Sequence, residues 1–314
     1  MQEGNGMPDF ISSGSNPRIR KLVELQKKAK ARRESGLFVI EGTRLCVDTP
    51  ARYIQEVYVT ENWMRNASEK ENRLLQEHPV TVVTDAVMAK AADTSTPQGI
   101  LCVAKMPVYS RASLLGQAQD LQGARNLQGQ AQDQQGVLDL QDTQDIRSAQ
   151  DLQGRAGAAP EKAPLLLVLE DIQDPGNLGT IFRTAEAAGA TGILMSRGTV
   201  DLFHPKVVRA TMSAIFRMPF YVSSDLGEEI LAMREKGIRS YAAHLGGKRA
   251  YDRLPLKQGC AFLIGNEGNG LSGDLTARAD EKIIIPMAGG AESLNAAMAA
   301  GILLFEAARQ RRTQ

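Results

Sequence analysis

The stretch FLIGNEGNGLSG, residues 262–273, decides how the fold is interpreted. Its glycines Gly268, Gly270 and Gly273 spell G-x-G-x-x-G directly behind an apolar run, which is the pattern of a dinucleotide-binding turn. In such proteins the turn opens its domain, and an acidic residue follows about 20 residues later at the end of the next strand. Here only 41 of the 314 residues follow Gly273, and the next strand-like run, IIIPMAGG, ends without an acid. An NAD site is therefore rejected.

Apolar runs alternate with helical segments from Pro164 onward. We predict strands at 165–171, 192–196, 219–223, 239–245, 260–265 and 282–287, and a last helix over about 292–311. Continuously apolar strands joined by helices are typical of a mostly parallel sheet that is covered on both faces. Because ligands bind such sheets at the carboxyl ends of the strands, we expect the functional site at that edge.

Residues 10–107 predict a smaller α/β domain, with strands at 36–42, 56–60, 80–84 and 99–105. A helix is predicted to begin at Asn16-Pro17. From Pro17 to Arg33 the chain carries eight basic residues and one acid. Such a segment suits a nucleic-acid backbone, because neutralised phosphates release counterions, although a solvated helix face has the same pattern. The residues predicted to bind RNA are Arg18, Lys21, Lys27, Lys28 and Arg32.

Residues 108–162 differ from both flanking regions. The tetrad DLQG recurs at 120–123 and 151–154, with variants between them. A hexapeptide solenoid needs branched apolar residues in its rungs, whereas Gln, Asp and Gly dominate here. Because this composition cannot offset the entropy of ordering, we predict a disordered linker.

Several classes of protein are excluded by composition and spacing. The sequence shows no basic start followed by an apolar stretch, so we expect no secretory signal. No apolar run is long enough to span a bilayer. The three cysteines and three histidines lie far apart, which argues against a disulfide framework and against a metal site. We expect a cytoplasmic protein without a metal and without a membrane partner. Cys260 is predicted to be a buried core residue, which favours an oxygen acceptor over a base carbon.

Three loops follow predicted strands and carry the remaining signal: LEDIQDPGNLGTIFRTAEAAG (169–189), LIGNEGNGLS (263–272) and IIIPMAGGAESLNAAMAAG (283–301). In sequence, order and spacing they resemble the three motifs of the SpoU (TrmH-like) branch of the SPOUT RNA methyltransferases, which methylate ribose 2′-hydroxyls with S-adenosylmethionine (AdoMet). The basic N-terminal region is similar to the substrate-binding domain that precedes the catalytic domain in many of these enzymes. The resemblance implies a SPOUT methyltransferase domain over 163–314 with a deep trefoil knot, a homodimer, and AdoMet as cofactor.

The resemblance also assigns residues to the site. It implies a catalytic set of Asn177, Arg183, Glu267, Ser293 and Asn295. Cofactor contacts are expected from Leu263, Gly265, Ile285, Met287 and Leu294. The family proposal makes Arg183 a base, but a guanidinium stays protonated, so an orienting and charge-stabilising role fits its chemistry better. The structural alternatives are an Arg183–Glu186 pair on the helix surface and Ser293 as a simple N-cap.

The predicted activity is AdoMet-dependent 2′-O-methylation of RNA, with ribosomal RNA of the 23S type as the expected partner. Transfer RNA is the alternative substrate. A non-catalytic RNA-binding or ribosome-assembly factor with the same fold is the alternative class. The intact site residues argue against that class, because an inactive copy would be free to lose them.

Overall fold

The computed structural model describes residues 9–115 and 163–312. The strands are β1 Asp9–Ile11, β2 Leu37–Glu41, β3 Ile54–Thr60, β4 Val80–Val83, β5 Ile100–Lys105, β6 Leu165–Leu169, β7 Gly192–Ser196, β8 Phe220–Ser223, β9 Arg239–Ala243, β10 Arg249–Ala250, β11 Cys260–Ile264 and β12 Glu281–Ile284. The α-helices are α1 Pro17–Lys27, α2 Ala29–Ser35, α3 Thr43–Asp48, α4 Glu61–Arg65, α5 Glu69–Glu77, α6 Asp85–Ala91, α7 Arg111–Leu114, α8 Pro175–Ala188, α9 Pro205–Thr211, α10 Leu226–Glu235, α11 Gly273–Arg278 and α12 Ala296–Arg312.

The N-terminal domain is built on a five-stranded sheet in the order β1-β4-β3-β5-β2. Strands β1, β4 and β3 are parallel, whereas β5 runs antiparallel to both of its neighbours. Helix α1 begins where the sequence predicts it, with the Asn16 side chain accepting from the Arg18 amide at 2.9 Å and proline in the first turn. Its buried Ile19, Leu22 and Leu25 belong to the core under the sheet. The predicted small α/β domain is confirmed, with β1 as an additional edge strand.

The C-terminal domain is built on a seven-stranded sheet in the order β10-β12-β9-β11-β6-β7-β8. Every strand pair in it is parallel, as the continuous apolar runs predict. All five residues of β6 are buried, and this strand lies between β11 and β7. The loops that follow β6, β7, β9, β11 and β12 therefore meet at one edge of the sheet, where ligands are expected. The trefoil knot stays a prediction.

One hydrophobic core cluster spans both domains, and each domain also has a cluster of its own. Phe38 of β2 packs against Phe203 and Phe216 of the C-terminal domain, with ring centroids 4.9 and 5.9 Å apart. Tyr53 also stacks on Phe216 at 4.9 Å. A buried ion pair between Arg32 and Asp201 joins the domains at a second point. Their relative position is therefore fixed by packing as well as by the chain connection.

The connection between the domains is partly structured. Residues 108–115 lie inside the predicted linker, yet α7 forms there and both Leu114 and Leu115 are buried. The Tyr109 hydroxyl donates to the Phe216 carbonyl at 3.2 Å, which ties the connection to the C-terminal domain. The disorder prediction is wrong for this part, because apolar side chains at its end find a core. The repeats at 116–162 lie outside the described residues.

The two ends of that undescribed segment are anchored at the same edge of the parallel sheet. Leu114 lies against Gly192, the first residue of β7, where a Cβ atom would come within 2.8 Å of the leucine Cγ. Gly192 pairs with Leu166 of β6, the strand that the chain enters after Ala163. The segment 116–162 therefore leaves and rejoins the described structure at the amino ends of β6 and β7, opposite the edge that carries the motif loops.

Candidate cofactor and RNA site

Glu267 joins the loop after β11 to the start of α8. Its Oε1 accepts from the Asn177 side-chain amide at 3.0 Å and from the Asp174 amide at 3.1 Å, while Oε2 accepts from the Gln173 amide at 3.0 Å. Partial burial opposes ionisation of this carboxyl, but the hydrogen bonds from Asn177 and the two backbone amides outweigh it and lower its pKa. Glu267 is therefore an ionised structural acceptor that is poorly suited to act as a general base.

Asn177 extends this network to the last helix. Its Oδ1 accepts from the Asn295 side-chain amide at 2.8 Å. The Asn295 Oδ1 in turn accepts from the amides of Ala297 and Met298 at 2.9 and 3.2 Å. Three of the predicted catalytic residues are thus brought into one chain of hydrogen bonds: Glu267, Asn177 and Asn295.

The same contacts correct the predicted start of the last helix. Asn295 is the N-cap, so α12 begins at Ala296 instead of near residue 292, and Ser293 is not the cap. Ser293 precedes the helix, is exposed, and has no hydrogen-bond partner among the described residues. Its hydroxyl faces the cavity described below and is free to meet a ligand.

The glycines of the loop after β11 serve a tight hairpin. The backbones of Asn266 and Gly270 exchange two hydrogen bonds of 3.1 and 2.9 Å, and Gly270 has a φ of +68°. Gly265 has no room for a side chain, since a Cβ atom would lie 2.1 Å from the Gly270 carbonyl carbon. The Asn266 Oδ1 accepts from the Gly268 and Asn269 amides, which closes the turn. The G-x-G-x-x-G match is therefore a by-product of a folded hairpin.

A cavity of about 420 Å³ lies between the loops that follow β9, β11 and β12. Four of the five predicted cofactor residues line it: Gly265, Ile285, Met287 and Leu294. Leu263 does not line it, and its assignment is wrong. This residue is fully buried and packs with Ile230 and Leu275 in a core cluster under α10 and α11. The cavity volume is typical of small-molecule sites.

The sequence predictions missed part of the cavity wall. Ala243, His244 and Leu245, at the end of β9, line the cavity, and so does Glu292. The His244 Nδ1 accepts from the Gly246 amide at 2.9 Å, which shapes this loop. These residues lie at the carboxyl end of β9, which is adjacent to β11, and that position identifies them as part of the site. Strand order, however, is not visible in a single sequence. Two acidic residues, Glu267 and Glu292, are among the lining residues.

Arg183 lies outside this arrangement. It is exposed on α8 and forms no hydrogen bond or ion pair with another described residue. Six residues after Asn177, it lies about 9 Å further along the helix and about 240° around it, so the two side chains do not share a face. Glu186 pairs with Arg217 instead, with a contact of 3.0 Å, which rules out the surface pair considered for Arg183. The residue remains an unpaired cation near the site.

Arg32 is a structural residue, and its assignment to RNA binding is wrong. Its side chain is only 2% exposed. The guanidinium donates to the carbonyls of Leu25 and Gln26 at 2.7 and 3.0 Å and to the carboxylate of Asp201. A phosphate cannot reach it, because the guanidinium is enclosed between α1 and the C-terminal domain.

The other predicted RNA-binding residues divide into paired and unpaired ones. Arg18 forms ion pairs with Asp9 and Glu56, which hold it against the sheet. The exposed Lys28 is paired with Glu24 at 2.9 Å on the helix surface. Two exposed lysines have no ion-pair partner among the described residues: Lys21 and Lys27.

Cys260, the first residue of β11, is a core residue away from the site. Cys260 is 1% exposed, and burial raises the pKa of its thiol to about 11, which confirms the predicted core role. Within residues 9–115 and 163–312, no group of three or more His, Cys, Asp or Glu side chains is placed to hold a metal. No helix in these ranges has the length and apolar character needed to cross a membrane.

Comparison with known proteins agrees with this geometry. Residues 164–305 match the SpoU rRNA Methylase family, and residues 16–102 match the MRM3-like substrate binding domain. The chain is 26% identical over 298 residues to the 23S rRNA (guanosine(2553)-2′-O)-methyltransferase RlmP of Bacillus subtilis, covering 94% of this chain and 97% of that protein. The AdoMet-bound crystal structure of an rRNA methyltransferase from Sinorhizobium meliloti is 27% identical, covers 97% of this chain and 99% of its own, and superposes with a TM-score of 0.71. Residues 164–305 therefore form a domain of the SpoU family of RNA methyltransferases, preceded by a domain that matches the MRM3-like substrate binding domain.

Proposed function

We propose that this protein transfers a methyl group from AdoMet to a ribose 2′-hydroxyl of ribosomal RNA. The observation that carries the proposal is the Glu267–Asn177–Asn295 network, which fixes the three motif loops around the mouth of an apolar cavity. The end-to-end similarity to RlmP, named as a 23S rRNA 2′-O-methyltransferase, supports ribosomal RNA as the substrate class.

The cavity suits the cofactor. Leu245, Ile285 and Leu294 provide apolar surface for an adenine ring, and the loop backbones provide hydrogen-bonding groups. The carboxylates of Glu267 and Glu292 give the wall a negative charge that complements a sulfonium cation. When bound, AdoMet supplies an electrophilic methyl group. The residues of the chain hold it and exclude water on one side.

The acceptor ribose is placed at the rim by positioning and by charge. Ser293 lines the cavity, Asn177 is bonded to the lining residue Glu267, and the free Ser293 hydroxyl can bond the ribose or its phosphate. A 2′-hydroxyl is a weak acid, so negative charge develops on its oxygen as the proton leaves. The guanidinium of Arg183 stabilises this charge and binds the target phosphate. Most of the acceleration comes from aligning the oxygen with the methyl group.

We include a homodimer in the proposal. On α12, Met298 is 61% and Phe305 is 45% exposed, and their spacing of seven residues places them on one helix face. Leu245, beside the cavity, is 62% exposed. Exposed apolar patches of this kind mark association surfaces. Light scattering should give twice the chain mass for the wild type, and Phe305→Glu should give the monomer mass. A monomeric wild type would refute the dimer.

The activity is tested with two measurements. Calorimetry should detect AdoMet binding that is insensitive to a chelator, and 2′-O-methyl mapping in a deletion strain should show the loss of one ribosomal position. Loss of a transfer RNA position instead would assign the alternative substrate. An absence of AdoMet binding at millimolar concentration, with all methylations intact, would refute the enzyme and favour an assembly factor.

A further inference from the structure

The turn after β7 anchors the backbone on both sides of one arginine at the edge of the site. The Ser196 hydroxyl accepts from the Asp171 amide at 2.8 Å and donates to the Asp171 carboxylate at 2.6 Å. The Gly198 carbonyl accepts from the Gln173 side chain at 2.7 Å. A Cβ atom on Gly198 would lie 2.1 Å from the Asp171 Oδ1, so a larger residue there would displace this carboxylate from Ser196. Arg197 stands between these two anchored residues.

Arg197 is an uncompensated cation. Its side chain is exposed and makes no ion pair or hydrogen bond with another described residue. The carboxylates around it are already engaged: Asp171 by Ser196, Asp174 by the Asn177 amide at 2.7 Å, and Glu267 by the network above. Many other arginines on the described surface pair with an acidic residue. An arginine beside the site without such a partner is suited to bind an external anion.

The same loop is tied at its other end to the basic N-terminal helices. Asp201 accepts the buried Arg32 of α2, so the loop lies directly against that helix. Lys206 follows in the first turn of α9, is exposed, and has no ion pair with another described residue. The loop from Arg197 to Lys206 therefore runs from the catalytic edge to α2, which follows directly on α1, the helix that carries Lys21 and Lys27.

We propose that this loop binds the sugar-phosphate backbone of the substrate RNA, with Arg197 on a phosphate next to the target nucleotide and Lys206 on the path toward α1 and α2. The proposal rests on the proposed function and adds to it a positioning residue that lies outside the three motifs. A guanidinium favours a phosphate through two parallel hydrogen bonds, which orients the strand as well as attracting it. Arg197 then acts on RNA placement and leaves the cofactor untouched.

The test compares Arg197→Ala, Arg197→Lys and Lys206→Ala with a matched control. Arg73→Ala is the control, because Arg73 lies on the acidic helix α5 and pairs only with Glu69. RNA affinity is measured across a salt series, together with single-turnover methylation, AdoMet affinity and melting temperature. We expect Arg197→Ala to raise the KM for RNA about tenfold and to reduce the salt slope by about one, with AdoMet affinity unchanged. Arg197→Lys should keep the wild-type salt slope, but its KM for RNA should lie between those of the wild type and Arg197→Ala.

Two results separate the possible failures. If the wild type methylates RNA and Arg197→Ala matches Arg73→Ala in KM and salt slope, the phosphate contact is refuted while the proposed function stands. If the wild type transfers no methyl group to RNA, the proposed function fails, and the salt slope of binding alone still supports or refutes the contact.

Discussion

Replacing Arg32 by alanine is expected to destabilise the folded chain by about 3 kcal/mol. The change leaves the carbonyls of Leu25 and Gln26 without their donor and the Asp201 carboxylate without its cation. Removing one partner of a buried ion pair costs about 3–5 kcal/mol. We take the lower end of that range because the Asp201 side chain keeps 24% exposure and can recruit water. Arg33, the adjacent exposed arginine, is the matched control, and its alanine variant should stay within about 0.5 kcal/mol of the wild type.

The assay is urea unfolding followed by circular dichroism, with thermal melts in parallel. Because the two domains share a core, they should unfold together, and the Arg32→Ala melting temperature should fall by about 6–12 °C. In a double-mutant cycle with Asp201→Ala, the coupling should be about 0.5–3 kcal/mol. The salt slope of RNA binding should not change, because a buried guanidinium meets no phosphate. An Arg32→Ala variant as stable as Arg33→Ala, or one that loses a unit of salt slope, would refute this role.

Three further outcomes are expected. Glu267→Gln should lower AdoMet affinity and melting temperature at pH 7. Because the folded pKa of Glu267 is lowered, its stabilisation is present above the unfolded pKa and is lost as the pH falls through the folded pKa. Thermal melts of variant and wild type should therefore converge once the pH lies below that lowered pKa. Replacing residues 116–162 by a short Gly/Ser linker should leave melting temperature and methyl transfer nearly unchanged, and a large drop in melting temperature would contradict this. Arg183→Ala should abolish single-turnover methylation with a modest loss of RNA affinity, and near-normal rates would exclude Arg183 from the chemical step. Removing the charges of Lys21 and Lys27 should instead flatten the salt dependence of RNA binding by about one unit of slope per lost phosphate contact.

The strands were predictable because each is an apolar run of ordinary strand length, and the runs alone indicated a parallel sheet. The direction of single side chains was less accessible. Leu263 was assigned to the cofactor because it precedes the loop after β11, yet strand residues alternate between the two faces of a sheet. Its neighbours Phe262 and Ile264 belong to the core cluster on the α12 side, and Leu263 belongs to the cluster under α10 and α11. A loop motif therefore predicts site residues within the loop more reliably than site residues in the strand that precedes it.

The basic segment shows a second limit of sequence reasoning. A count of charges treats all eight cations as equivalent. Their burial depends on a break between two helices that no glycine or proline marks in the sequence. Lys28 adopts an extended backbone, with φ −117° and ψ 110°, and separates α1 from α2. The second helix then turns Arg32 inward to Asp201, a residue 169 positions away in the sequence. Long-range partners of this kind are invisible to local periodicity.

The network at the sheet edge explains why the motif residues were recognisable while their geometry was not. Asn177 bonds Glu267 across 90 positions and Asn295 across 118, so this one residue links the other two loops. The bond to Asn295 also fixes the start of α12 and, with it, Leu294 and Ser293 on the cavity wall. The helix that carries Arg183 and the helix that closes the cofactor cavity are thus held in register by one pair of amide side chains. Hydrogen bonds between the motif loops hold residues of the site relative to one another, and such preorganisation is what positional catalysis requires.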